Sequence, residues 1–76
     1  MKLYLGSYFA FFRPGRKHWA EVDIHTPTPL DQILSELGIP PGEVHLVVLN
    51  GRLLESTDTL ISNGDTVRLY PAIGGG

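Results

Sequence analysis

Thr28-Pro29-Leu30-Asp31-Gln32-Ile33-Leu34-Ser35-Glu36-Leu37-Gly38-Ile39-Pro40-Pro41 decides the fold of this 76-residue chain. Leu30, Ile33, Leu34 and Leu37 fall at i, i+3, i+4 and i+7, one apolar stripe of an amphipathic helix. Thr28 is placed to cap the helix, Pro29 to occupy its first turn and Asp31 to favour the positive end of its dipole. Gly38 is the expected left-handed stop, and Pro40-Pro41 prevents continuation. No other stretch has helical period over this length, so the domain is built on one helix.

Everything on either side reads as strand and turn. Lys2 to Tyr8 opens with alternation, Leu3 and Leu5 on one face and Lys2 and Tyr4 on the other. Phe9-Ala10-Phe11-Phe12 has no clear period and fits either strand or a short helical turn. Arg13-Pro14-Gly15-Arg16-Lys17 is a turn. His18 to Ile24 alternates again, with Ala20, Val22 and Ile24 opposite Trp19, Glu21 and Asp23, so the two runs form an N-terminal hairpin. After the helix, Val44 to Leu49 is a near-continuous apolar strand, expected to have apolar neighbours on both faces. Asn50-Gly51 is the strongest turn signal, and Arg52-Leu53-Leu54 returns from it. Ser56 to Leu60 is a polar crossing anchored by Leu60 and Ile61. Asn63-Gly64-Asp65 turns into the last strand, Thr66 to Tyr70, with Val67 and Leu69 inward. Hairpin, one helix, then short strands predict an α+β domain: a mixed sheet of four to five strands with the helix across one face. The domain is read as residues 1–72, and 73–76 as a glycine-rich tail.

Composition narrows the chemistry. A chain this short buries roughly 60% of its unfolded surface and has no room for a deep catalytic pocket. It has no cysteine, hence no disulfide, thiolate nucleophile or thiolate metal site. The formal charge of −2 lacks the basic excess of nucleic-acid domains. Arg13, Arg16, Lys17 and Trp19 form a small basic and aromatic cluster, which reads more simply as a solvated turn. His18, His25 and His45 share no ligand spacing, so no metal site is expected. Asp31 with Glu36, and Glu55 with Asp58, have no burial to make them acid/base pairs, and Ser7, Ser35, Ser56 and Ser62 lack a nucleophile context. No apolar run approaches 18 residues and Met1 to Gly6 does not read as a signal peptide, so a cytoplasmic location is the default expectation. The chain is expected to be no enzyme in its own right.

The end of the sequence remains. Ile73-Gly74-Gly75-Gly76 follows directly on an apolar strand. Glycine packs nothing and loses the most entropy when ordered, so three of them serve no core. They suit passage through a narrow channel, with the Gly76 carboxylate as the reacting group. Together with Val48-Leu49-Asn50-Gly51-Arg52 and Gly64-Asp65-Thr66-Val67, and with Pro71-Ala72 before it, this end resembles the MoaD/ThiS family of ubiquitin-like sulfur carriers over the whole chain. The sequence departs from that pattern in having three glycines where two are commoner, and in the aromatic stretch Tyr8 to Phe12.

The resemblance implies a β-grasp fold and a cycle. A ubiquitin-activating-type partner, using ATP and Mg, adenylates the terminal glycine; sulfur then replaces one oxygen to give a thiocarboxylate. A synthase uses that sulfur for molybdopterin, favoured here by Tyr70-Pro71 and the chain length, or for the thiazole of thiamin; in the first case the carrier is the small subunit of the synthase. No cofactor is held by the chain itself. Gly74 and Gly75 thread the partner. Docking is assigned to the open sheet face near the tail: Tyr4, Val47, Arg68, Tyr70 and Ile73, unless a loop covers Val47 or Leu49. The alternatives are a covalent modifier joined to lysines through Gly76, and a non-covalent interaction domain in which the tail has no role.

Overall fold

Two apolar pairs from opposite ends of the chain, Leu3 with Leu5 and Val67 with Leu69, meet at the centre of the molecule because their strands lie side by side. The computed structural model describes residues 1–12 and 14–72. Its strands are β1 (Lys2–Leu5), β2 (Trp19–Glu21), β3 (Thr28–Pro29), β4 (Val44–Leu49), β5 (Arg52–Leu54), β6 (Leu60–Ile61) and β7 (Thr66–Pro71), with the helix α1 (Leu30–Glu36) between β3 and β4. Five of them form one mixed sheet in the order β2-β1-β7-β4-β5, and β3 pairs with β6 apart from it. β1 and β7 run parallel; the other pairs in the sheet are antiparallel. Leu30, Ile33 and Leu34 of α1 close over the inner face of the sheet in one core with Leu3, Leu5, Phe9, Ile39, Val47, Ile61, Val67 and Leu69.

The helix forms on the predicted stripe but starts one residue later than the capping motif placed it. Pro29, not Thr28, is the cap residue, and no side chain caps the helix. Thr28 is instead paired with Ile61 across the β3–β6 bridge, and its hydroxyl donates to the Thr26 carbonyl. The first N–H groups of the helix are satisfied by the polar crossing: Leu30 donates to the Thr59 carbonyl at 3.0 Å and Asp31 to that of Thr57 at 2.8 Å. At the other end Gly38 stands at φ 76°, its N–H donating to Ser35 O and that of Ile39 to Leu34 O. This is the paired bonding of a Schellman stop, and Ile39 carries its apolar contact into the core.

The first strand is shorter than its alternation implied. It ends at Leu5, and Ser7–Phe12 is a 3-10 helix, which settles the aperiodic aromatic stretch. Phe9 and Ala10 turn into the core while Tyr8, Phe11 and Phe12 stay at the surface. Just before the chain turns out of the strand at Ser7 (φ 50°), it passes through Gly6, whose N–H still donates to the Leu69 carbonyl. A Cβ there would lie 2.7 Å from Tyr70 Cδ1 and 2.8 Å from the Leu69 carbonyl oxygen, so the chain passes β7 more closely than any side chain permits. The hairpin to β2 stands, but only Trp19–Glu21 is strand. Of the two anchors expected in the crossing, Ile61 is fully buried and Leu60 is exposed.

β4 requires a correction. Val47 was expected on the open face; it points into the core and is 5% exposed. It pairs with Leu69, an inward residue, while Leu46 pairs with the outward Tyr70. An irregularity in the ladder between Val44 and Leu46 places Val44 opposite Pro71 and lets both Val44 and Val47 face inward. Nor is β4 covered on both faces: Leu46 is 42% exposed. A strand of unbroken apolar residues carries no alternation from which its facing can be read.

Candidate functional site on the open face of the sheet

Strand register lines up one residue from each of the five strands on the face away from α1. Trp19 stands opposite Tyr4, Tyr4 opposite Arg68, Arg68 opposite Val48 and Val48 opposite Leu53. On one side of this row lie Glu21, Lys2 and Thr66, a polar margin. On the other lie Tyr70 and Leu46, toward the end from which β7 runs out at Pro71. The face therefore grades from charged to apolar in the direction in which β7 runs.

Its centre is an aromatic and cationic cluster. The Tyr4 ring meets Trp19 edge-on at 5.1 Å, Tyr70 at 5.9 Å and His18 in a stack at 5.7 Å. The Arg68 guanidinium lies 5.6 Å from the Tyr4 ring centre and 5.2 Å from that of Trp19. Exposed cation–π contacts of this kind contribute about 0.5–1 kcal/mol each, enough to favour one position of a long side chain. His18 Nδ1 is 2.6 Å from the Leu5 carbonyl oxygen; a carbonyl only accepts, so Nδ1 carries the proton. With Trp19 46% and Leu53 62% exposed, this face leaves more apolar surface open than scattered residues would.

Two family-like turns act elsewhere, as structure. Asn50 (φ 50°) and Gly51 (φ 84°) make the two-residue turn between β4 and β5. The Asn50 amide donates to Asp65 Oδ1 at 2.9 Å and its Oδ1 accepts from the Thr66 N–H at 2.8 Å. Asp65 Oδ2 accepts from the Ser62 N–H at 2.8 Å. The Ser62 bond first, then that from Asn50, holds the Asp65 carboxyl below the usual carboxylate range. Asn63 Oδ1 accepts from the Ile24 N–H. These residues lock the turn before β7 to the turn after β4 and to the segment after β2, and so fix where β7 begins.

Of the residues assigned to docking by sequence, Tyr4, Arg68 and Tyr70 come together on the open face, and Val47 does not. Ile73, Gly74, Gly75 and Gly76 lie outside the described residues, as does Arg13. Sequence reasoning missed Leu46, Val48 and Leu53, and placed Trp19 with the basic turn. Trp19 belongs to the sheet face; Arg16 of the turn lies 5.0 Å over Phe11 instead. The signal for Trp19 was its alternation with Ala20. Among the described residues no three His, Cys, Asp or Glu side chains converge as a metal site requires, and no helix is long and apolar enough to cross a membrane. A hollow of about 350 Å³ is lined by Lys2, Trp19, Ala20 and Glu21 at the outer edge of β2.

A mixed five-stranded sheet with two parallel central strands, one helix across a single face and the other face open defines a small β-grasp domain of the ubiquitin type. A family model described as the ThiS family matches residues 7–76, and the chain belongs to that family. Members are small sulfur carriers rather than enzymes, and they work with an adenylating enzyme and a sulfur-accepting synthase. No curated protein matches the chain.

Proposed function

We propose that this carrier is activated at the Gly76 carboxylate and docks on its partners through the open face of the sheet. The carboxylate oxygen attacks the α-phosphorus of ATP in the partner's site, pyrophosphate leaves, and an acyl adenylate results. A sulfur nucleophile then displaces AMP and leaves a thiocarboxylate. A free carboxylate is a poor electrophile, and adenylation supplies the leaving group; the carrier contributes an accessible acid on a strip without side chains. Ordering that strip opposes binding by about 1–2 kcal/mol per residue, which contact between the partner and Tyr4, Leu46, Arg68 and Tyr70 must outweigh. The domain is residues 1–72 and the tail 73–76. Sulfur delivery to molybdopterin is preferred to the thiamin thiazole on the strength of Tyr70-Pro71 and the chain length.

The observation that carries this reading is the family match extending through residue 76, over a sequence that closes on Gly74-Gly75-Gly76. The test is incubation with the cognate adenylating enzyme, ATP, Mg and a sulfur donor, followed by intact-protein mass spectrometry. Exchange of one oxygen for sulfur is expected in the full chain and not in one lacking Gly75 and Gly76, while both melt at the same temperature. No exchange with an enzyme proven on another carrier would overturn the proposal. Adducts on lysines that vanish with the same deletion would favour a covalent modifier instead. Supplying the molybdopterin and thiazole acceptor systems in parallel decides the recipient.

A further inference from the structure

Arg68 is the one charged residue in the central row of the open face, and its surroundings define what it can meet. Its row neighbours are Tyr4, Trp19, Val48 and Leu53, and Tyr70 and Leu46 form the next row toward the end of β7. The guanidinium lies over two rings, which orient it without occupying its N–H groups. Among the described residues no carboxylate pairs with it. Glu21 and Lys2, the nearest opposite and like charges by register, sit together in the polar margin one row away.

We infer that Arg68 is the specificity-determining cation of the docking face, and that it receives a single Asp or Glu side chain set in an apolar patch of the adenylating enzyme. This rests on the docking reading above and names the chemistry of its partner surface. A guanidinium has a planar fork of donors that matches a carboxylate with two parallel bonds, which an ammonium does not. One cation in an apolar field complements one anion in an apolar field. A polyanion such as nucleic acid would call for a row of cations, and the central row holds only this one. Closing apolar surface around the pair removes water from it, so the choice of partner becomes sensitive to whether the carboxylate is there.

The experiment is ATP–pyrophosphate exchange by the cognate adenylating enzyme with the full-length carrier as varied substrate, at low and high salt, comparing wild type with Arg68→Met and Arg68→Lys. The methionine keeps the apolar stem over the rings and removes the charge. A rise in KM of about thirtyfold is expected for Arg68→Met, with kcat within about twofold, since the pair acts in docking and not in chemistry. Arg68→Lys should fall between the two, keeping the charge and losing the fork. The wild-type KM should rise with salt more steeply than that of Arg68→Met. Changing the facing carboxylate of the enzyme to its amide should raise the wild-type KM and leave that of Arg68→Met unchanged. Exchange with wild type but no KM difference for either variant, at equal melting temperatures, would sink this inference and leave the docking reading standing. A variant that melts early is compared below its transition, where the split between KM and kcat is still readable. No exchange with wild type would remove both readings together.

Discussion

Asn50 and Asp65 tie two turns together by side chains that remain at the surface. Asp65 uses both carboxylate oxygens, one for Asn50 and one for the Ser62 N–H. An amide in its place offers one oxygen and one NH2, so one of the two donors loses its acceptor. Asp65→Asn is expected to lower stability by about 1 kcal/mol in denaturant unfolding at neutral pH. The sign of the pH effect follows from its lowered ionisation. The folded state favours the charged form, so the stabilisation is full above the ordinary carboxylate range and is lost as pH falls through the lowered folded value. Unfolding measured from about pH 5 down to about pH 2 should show a shallower acid limb in Asp65→Asn than in wild type. Gly6 is the other single residue with structural leverage. Gly6→Ala places a Cβ against the Leu69 carbonyl oxygen, which cannot turn aside, and is expected to cost about 1–3 kcal/mol.

Elements are held by what they bury and by how they end. The 3-10 helix Ser7–Phe12 carries three phenylalanines, of which only Phe9 is fully enclosed. Phe9→Ala is expected to cost about 3–5 kcal/mol, a large share of the stability of so small a domain, whereas Phe11→Ala should change it by less than about 0.5 kcal/mol. Thermal melts of the two variants check this contrast. α1 depends on its stop. Gly38→Ala meets no steric obstacle, since nothing lies within 4 Å of the added Cβ, yet the left-handed conformation remains unfavourable for alanine by about 1–2 kcal/mol.

At the scale of the molecule the two faces of one sheet have different duties, and β4 shows how finely they are divided. Val47 and Leu46 are adjacent, apolar and alike in sequence context, but one faces the core and the other the open side. Val47→Asp buries an unpaired charge and is expected to unfold the domain, with a loss of more than about 4 kcal/mol. Leu46→Asp should leave the fold intact, costing less than about 1 kcal/mol, and act instead on partner binding by putting a charge into the apolar margin. Circular dichroism melts beside the exchange assay separate the two effects. If both variants unfolded alike, the open face would be part of the core and the docking surface misplaced.

The amino-acid sequence by itself determined one helix on the stripe Leu30-Ile33-Leu34-Leu37, its stop at Gly38, the turns at Asn50-Gly51 and Asn63-Gly64-Asp65, and the inward Val67 and Leu69. Each rests on a local rule: a period, or a residue suited to one backbone conformation. It also carried the family resemblance through its terminal glycines. The tertiary structure alone decided which side of β4 faces the core, because a uniformly apolar strand takes its facing from register with β7. It alone moved the helix cap from Thr28 to Pro29, because Thr28 was drawn into pairing with Ile61 and backbone carbonyls of a distant loop took over the cap. And it alone assembled Tyr4, Trp19 and Arg68, 64 positions apart from first to last in the chain, into one surface, since only the parallel pairing of β1 with β7 brings the two ends of the sequence side by side.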